Sequence, residues 1–532
     1  MRLQPVRSIA VLMVLWAAIT AIDFNKAFHI DDTFHLKAAQ WIEHHPAHPM
    51  SGTVNWGQDP EPIHDFNQPP GFFYLVAATG HLFGYSEGPM HMMRSLFSLL
   101  ALLCFHRLAR HRAPRHALWL TALFALCPAF MVNQGVMTDV PLLAMQLLFF
   151  NFLLVPGILP TGSRYALAGL TLAGALFIKY TVAPLLLVFP LVLVLRREWR
   201  RLPHTLIPVL LLVAWSLWNL QEFGHIHLLE RKAGDPSLRG VFVRTLALLT
   251  AVGAVAPFTP VFLRALVPKR AGWLFPAWVA GIAAALAFSL CVYTGLIPEA
   301  GSDQALRVIF TLNGVLTTVY CVRYLPRSLA PTTADAWALA VWAAGLAFFL
   351  AGFSPMMATR HVLLIIPAVL LLIAPAMDTA RFREKAIAVA CTTTLGVLLT
   401  VSDKEFAGFY RDRAPQIARE MKARTTGTVW SLGHWGWQWY SEQAGMAIYA
   451  QDLSRPMVGD ILVIPEDYDT QDLAPGIVKA PIATWDGPPG PATFLCVEQY
   501  AGMYTSSYGK LPWNLSVSHH KVIKAYRITA MR

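Results

Sequence analysis

The chain has 532 residues, 55% of them hydrophobic and only 14% charged, with a mean hydropathy of +0.47. That is too little charge to cover the surface of a soluble protein, and apolar runs long enough to cross a bilayer recur along it, so a soluble enzyme is excluded and a polytopic helical membrane protein is expected. The formal net charge of +11 comes from short Arg and Lys clusters between apolar runs, which is no nucleic-acid footprint.

The N-terminus, Met1 to Arg7 followed by an apolar run to about Ile22, has the outline of a signal peptide. The run is long for one, and an uncleaved first helix is the better reading. Just beyond it stands His29-Ile-Asp-Asp-Thr-Phe-His35, an acidic pair at the edge of an apolar span. Carboxylates beside lipid are costly, so Asp31 and Asp32 point to chemistry. The simpler role for either is to cap a helix over Thr33–Glu43, where acids favour the N-terminus. The apolar stretch from Pro69 to about Gly84 does not fit as a full span and is expected as a short helix at, or dipping into, the outer surface.

Treating the clusters Arg107–His116, Arg196–Arg201, Arg264–Arg270, Arg323–Arg327 and Arg381–Lys385 as cytoplasmic orients the chain. Spans are then expected near 7–24, 90–108, 115–132, 140–156, 165–181, 183–196, 204–221, 241–264, 271–295, 304–322, 334–353, 360–377 and 385–401. That is about thirteen helices, N-terminus inside and C-terminus outside. Three outer segments result. The first, 25–89, holds Asp31, Asp32, Asp59, Glu61 and Asp65; the second holds Asp139 in Met137-Thr-Asp-Val-Pro141; the third, 222–240, holds Glu222, Glu230 and Asp235. Asp139 also has a simpler role, as cap of the span beginning at Val140.

Four cations break the positive-inside pattern near the outer ends of spans: Lys179, Arg244, Arg307 and Arg360. Singly, each is read as snorkelling toward headgroups. Together, at one depth and with acids nearby, they suit an anionic headgroup such as a phosphate. The six cysteines include no CxxC pair and read as small buried hydrophobes rather than a disulfide framework.

Beyond residue 402 the pattern changes. Strand-length apolar runs at 428–432, 446–449, 460–464, 493–497 and 521–528, with helical stretches at about 404–424 and 437–444, predict a small α/β domain over 403–532, outside the membrane, after a transmembrane domain over 1–402. Its Gly433-His-Trp-Gly-Trp-Gln-Trp-Tyr440 run is either an aromatic platform for a sugar or domain core with an interfacial belt, and the second is the commoner use. Asn514-Leu-Ser516 matches a glycosylation sequon.

In order along residues 20–380, these motifs resemble the GT-C membrane glycosyltransferases, in particular the protein O-mannosyltransferase and aminoarabinose transferase type, family 39-like. Asp31-Asp32 is similar to that family's first-loop acidic signature, and Gln68-Pro-Pro-Gly-Phe-Phe-Tyr74 to its Pro-Pro-aromatic motif. Arg94-Ser-Leu-Phe-Ser-Leu-Leu100, Met137-Thr-Asp-Val-Pro141, Lys179-Tyr-Thr and Arg360-His-Val-Leu-Leu-Ile-Ile-Pro367 follow in family order. Two positions depart: Gln68 stands where many relatives carry Lys, and Asp32 where Glu is common.

The resemblance implies a mainly α, GT-C bundle that takes a polyprenyl-phosphate sugar donor at the outer face. The acceptor would be a protein, lipid or glycan, and the setting a bacterial inner membrane with the C-terminal domain in the periplasm. A phosphate leaving group needs cations rather than a general acid, which assigns Lys179 and Arg360 first, then Arg244 and Arg307, to the donor phosphate. Asp31 is the expected base in a single inverting displacement, with Asp139 and Asp32 orienting acceptor or sugar hydroxyls. If the acceptor were itself a phosphate, no base would be needed and Asp31 would position it or offset charge. No cofactor is assigned: His29, Asp31, Asp32 and His35 offer metal-ligand types, but relatives of this kind generally need no metal. The competing classes are a transporter or lipid flippase, which would place its ionisable groups near the bilayer midplane and often shows repeats, and a non-catalytic scaffold presenting the tail domain.

Overall fold

Hydrophobic runs become helices here wherever proline permits. The computed structural model describes residues 3–532 apart from 67, 158, 268–272, 329–332, 467, 488–492, 496–502, 505–509 and 517–520. Helix α1 (Leu3–Asp23) is followed by the first outer loop, which folds as α2 (Asp32–His44), the hairpin β1 (Thr53–Asn55) and β2 (Pro60–Pro62), and α3 (Gly71–Phe83). Then come α4 (Glu87–Arg112), α5 (Ala117–Ala125), α6 (Pro128–Val132), α7 (Asp139–Leu154), α8 (Thr161–Ile178), α9 (Leu185–Leu195), α10 (Leu206–Phe223) and α11 (Leu238–Val255). The helical part continues through α12 (Leu274–Tyr293), α13 (Glu299–Ser328), α14 (Thr333–Gly352), α15 (Thr359–Val362), α16 (Ile366–Ile373), α17 (Ala376–Thr379) and α18 (Phe382–Lys422).

Among the described residues, seven helices are long and apolar enough to cross a membrane, and four shorter apolar helices accompany them. This is an integral membrane protein, but the expected spans are not uniform rods. The run at 115–132 breaks into α5 and α6 at Cys127-Pro128, and that at 360–377 breaks into α15, α16 and α17 around Pro367 and Pro375. Proline restricts the residue before it and removes a donor, so it starts a new helix rather than extending the old one.

Close packing comes from small residues. A Cβ on Gly253 of α11 would lie 1.8 Å from the Phe310 carbonyl of α13, and one on Gly314 of α13 would lie 1.9 Å from the Leu249 carbonyl. Backbone meets backbone there, a contact only glycine allows.

The basic ends expected on the cytoplasmic side gather together. Arg196, after α9, pairs with Asp335 in the first turn of α14 at 2.7 Å, and His111 of α4 reaches the other oxygen at 3.0 Å. Arg196 also donates to the Leu153 carbonyl of α7 at 2.8 Å. Helix α7 runs from there back to Asp139, which places that acid about 20 Å away by helical rise. Asp139 and its partner Lys179 therefore stand at the opposite end.

Helix α18 has 41 residues, about 60 Å of helix against a hydrocarbon core of about 30 Å. The boundary expected at 402/403 falls inside it. The C-terminal elements are β3 (Val429–Ser431), α19 (Trp435–Gln443), β4 (Ala447–Ile448), β5 (Ile461–Pro465), β6 (Ile477–Asp486), β7 (Thr493–Leu495), β8 (Asn514–Ser516) and β9 (Val522–Met531). The main sheet has the order β4-β3-β5-β9-β6, parallel among β4, β3 and β5 and antiparallel onward. Strand β6 was not evident in the sequence because Pro481 and two register shifts blur its alternation; it lies at the sheet edge, where proline is tolerated. The first outer loop packs against this region: Gln438 of α19 donates to the Asn55 carbonyl at 2.8 Å, and Asn55 donates to the Tyr449 carbonyl at 3.0 Å.

Candidate active site

The turn between α1 and α2 decides where the acidic pair points. Ile30 has φ +50°, a left-handed conformation that β-branched residues rarely adopt. The Asp32 carboxylate secures this turn by accepting from the His29 backbone N–H at 2.9 Å. Asp31 is thereby turned the other way, and Arg360 Nη1 donates to its Oδ2 at 2.6 Å. Neither aspartate makes a side-chain cap on α2, so capping does not account for the pair.

Lys179 stands in extended backbone at the end of α8 and donates to Asp139 Oδ1, in the first turn of α7, at 2.9 Å. The N-cap position of α7 is Thr138, which makes no side-chain cap, and Asp139 stands in the first turn. The two acid–cation pairs come from four distant segments of the chain. Asp31, Lys179 and Arg360 line one cavity of about 1030 Å³. Arg360 and Lys179 are mostly covered, while the Asp31 side chain is 21% exposed to that space.

Asp32 and Asp139 do not line the cavity. Both are buried: Asp32 accepts from the His29 N–H in the Ile30 turn, and Asp139 accepts from Lys179. The two remaining cations go elsewhere as well. Arg244 is buried and donates to the carbonyls of Ala351, Asp235 and Gly352 at 2.7, 2.5 and 3.2 Å, which uses its fork on backbone acceptors at the end of α14 and just before α11. Arg307 pairs with Asp303 one turn back on its own helix at 2.8 Å. Neither lines the cavity.

Burial alone would raise the Asp31 carboxyl, but Arg360, His35 and Lys179 outweigh it and hold it below the usual carboxylate range. For Asp32 burial wins and pushes it up to about 7. Two neighbouring carboxyls are thus driven apart, one ionised at neutrality and one titrating near it. His35 is lowered by burial; its Nδ1 meets the Val136 carbonyl at 2.7 Å and its Nε2 the Gln68 Oε1 at 3.1 Å. Gln68, which departs from the family pattern, therefore faces the cavity as a partner of this histidine.

Sequence reasoning missed several polar lining residues, among them Arg231, Lys232, His225, His227 and His361. The first two carry the same signal as the four cations singled out, positive charge in an outer segment. His361 had only its place beside Arg360. The first loop adds Trp56, Glu61 and Asp65 to the lining. Among the described residues, no group of three or more His, Cys, Asp or Glu side chains has the geometry to hold a metal ion, and His29 faces Asp403 at 3.9 Å instead of the acidic pair. The aromatic run of α19 is no open platform: Trp435, Trp437, Trp439 and Tyr440 are all buried.

Residues 67–218 match a family model described as dolichyl-phosphate-mannose-protein mannosyltransferase. No curated protein sequence matches the chain. Among solved structures, it is similar to ArnT from Cupriavidus metallidurans in the apo state, at 14% identity over 87% of this chain and 93% of that one, with a TM-score of 0.53. The same protein bound to undecaprenyl phosphate matches at 14% identity and the same coverage, with a TM-score of 0.51. The chain has the GT-C glycosyltransferase fold of the protein-mannosyltransferase and ArnT-like kind, and its residues 67–218 carry the pattern of a glycosyltransferase family.

Proposed function

We propose that this protein transfers a sugar from a polyprenyl-phosphate donor to an acceptor hydroxyl at the outer membrane face, by a single inverting displacement. The observation that carries this reading is the pair of acid–cation contacts, Asp31–Arg360 and Lys179–Asp139, set on one cavity. The family match and the likeness to ArnT, whose structure holds undecaprenyl phosphate, support the donor class.

Lys179 and Arg360 take the donor phosphate. Arg360 offers a planar fork and Lys179 a point charge, and both are covered enough for their charge to act at low dielectric. Entry of the phosphate draws Arg360 away from Asp31. The Asp31 carboxylate then loses the partner that weakened it as a base and takes the proton of the acceptor hydroxyl. The acceptor oxygen bonds to the anomeric carbon as the carbon–oxygen bond to phosphate breaks, and the lipid phosphate leaves with that electron pair. Its growing charge is met by cations already in place, with little reorganisation. Asp139 keeps Lys179 extended toward the cavity. The C-terminal sheet region lies outside the membrane on the same side, in a bacterial cell the periplasm, with the N-terminus in the cytoplasm.

The test is donor binding. Lys179→Ala and Arg360→Ala are each expected to weaken polyprenyl-phosphate binding to the purified protein by roughly ten- to a hundredfold, the equivalent of one charged hydrogen bond. Acceptor KM should move much less. Equal effects on donor and acceptor would remove the phosphate assignment.

A further inference from the structure

We propose that the C-terminal domain is a clamp that sets the Asp31–Arg360 pair, with Thr33, Gly436 and Thr359 as positioning residues. This rests on the reading of Asp31 and Arg360 given above.

The domain grips the segment on each side of the ion pair. On the Asp31 side, Thr33 Oγ1 donates to the Trp435 carbonyl at 2.6 Å, and the Phe28 backbone N–H donates to the Tyr440 hydroxyl at 2.7 Å. The Phe28 ring lies edge-on to Trp439 and stacked with Tyr440. A Cβ on Gly436 would stand 2.0 Å from the Phe28 carbonyl oxygen, so α19 docks backbone to backbone on this segment. Ile30 and Trp435, at φ +50° and +53°, are two of the three described non-glycine residues with positive φ, and they belong to the two sides of this one contact. Such conformations persist only where surrounding structure over-determines them. Docking of α19 supplies that constraint for the turn that aims Asp31.

On the Arg360 side, the buried Thr359 donates through Oγ1 to the Met503 carbonyl at 2.6 Å. The neighbouring Tyr504 hydroxyl donates to Asp403 Oδ2 at 2.5 Å and accepts from Lys26 Nζ at 3.1 Å, which seats that segment among α18 and the end of α1. Asp31 and Arg360 are 329 residues apart in the chain, and the domain touches the immediate neighbour of one and the turn of the other.

The two grips predict a split in kinetics that a purely structural role would not give. Thr33→Val keeps shape but loses the bond to Trp435, and Gly436→Ala forces α19 off Phe28. Both displace Asp31, so kcat should fall, by roughly tenfold and on the order of a hundredfold respectively, with donor KM unchanged or lowered as the hold of Asp31 on Arg360 loosens. Thr33→Ser should restore kcat. Thr359→Val displaces Arg360 and should raise donor KM several-fold. Gly408→Ala, on an open face of α18, is the control. Independently of activity, amide hydrogen exchange over residues 28–36 should quicken in Gly436→Ala. If Gly436→Ala yields no folded protein, the Thr33→Val and Thr33→Ser pair decides. Wild-type kcat in the Thr33→Val variant, while Asp31→Asn is inactive, overturns the clamp and leaves the catalytic reading intact. Full transfer by Asp31→Asn removes the catalytic reading, and the exchange rates then still report whether α19 holds the turn.

Discussion

Replacing Asp31 by Asn separates the two halves of the proposed mechanism. The amide keeps the shape of the carboxylate and is unable to take the acceptor proton. Loss of a positioned base costs about 10²–10⁴ in rate, or roughly 2.7–5.4 kcal/mol of barrier. Donor binding should move the opposite way. In the free protein Arg360 donates to Asp31 at 2.6 Å from a largely buried position, and the phosphate has to displace that contact. A charge-assisted hydrogen bond contributes about 1.5–3 kcal/mol, and Asn retains part of it as a neutral acceptor, so roughly 1 kcal/mol of competition is removed. Donor affinity should therefore rise about three- to tenfold while transfer falls a hundredfold or more. The assay pairs single-turnover transfer from a polyprenyl-phosphate sugar with direct binding of the polyprenyl phosphate. Donor affinity that falls in step with transfer would refute the reasoning, because Asp31 would then serve only to hold Arg360. Transfer within threefold of wild type would refute it outright.

Two further outcomes follow from the surrounding structure. Burial raises Asp32 to about 7, so the native state binds a proton that the unfolded chain has released above about 4. Stability in detergent should fall as pH rises from about 4 to about 7, by up to a few kcal/mol, and Asp32→Asn, which preserves an acceptor for the His29 N–H, should flatten that dependence in thermal melts. An unchanged profile would contradict the burial of an ionisable carboxyl there. Gly253→Ala should lower the melting temperature by the equivalent of about 1–3 kcal/mol, since the methyl meets the Phe310 carbonyl and α11 and α13 must separate; a melt like that of the wild type would mean the helices slide freely.

The membrane character and most helices were legible because the signal is local. An apolar run long enough to span a bilayer needs only its own residues to declare itself. The acidic motifs and the outer cations were legible for a related reason: charge beside an apolar run is costly enough to be conspicuous. The strands β3, β4, β5, β7 and β9 were also read near their observed positions, whereas edge strand β6 was hidden by Pro481 and its bulges.

Which partner each charge meets was decided only by tertiary structure. Asp31 and Asp32 are adjacent and alike in sequence, yet the left-handed Ile30 turn aims one at Arg360 and the cavity and buries the other against the His29 backbone. Lys179 and Arg244 carried the same signal, yet one meets Asp139 at the cavity and the other spends its fork on backbone carbonyls. Side-chain direction depends on which distant segments fold alongside, and those contacts leave no local period for the sequence to display. The amino-acid order by itself determined a membrane bundle with acids and cations gathered at one end. Only the folded chain chose which of them face one another, because an ion pair between residues 329 positions apart is created by packing and by nothing in either neighbourhood.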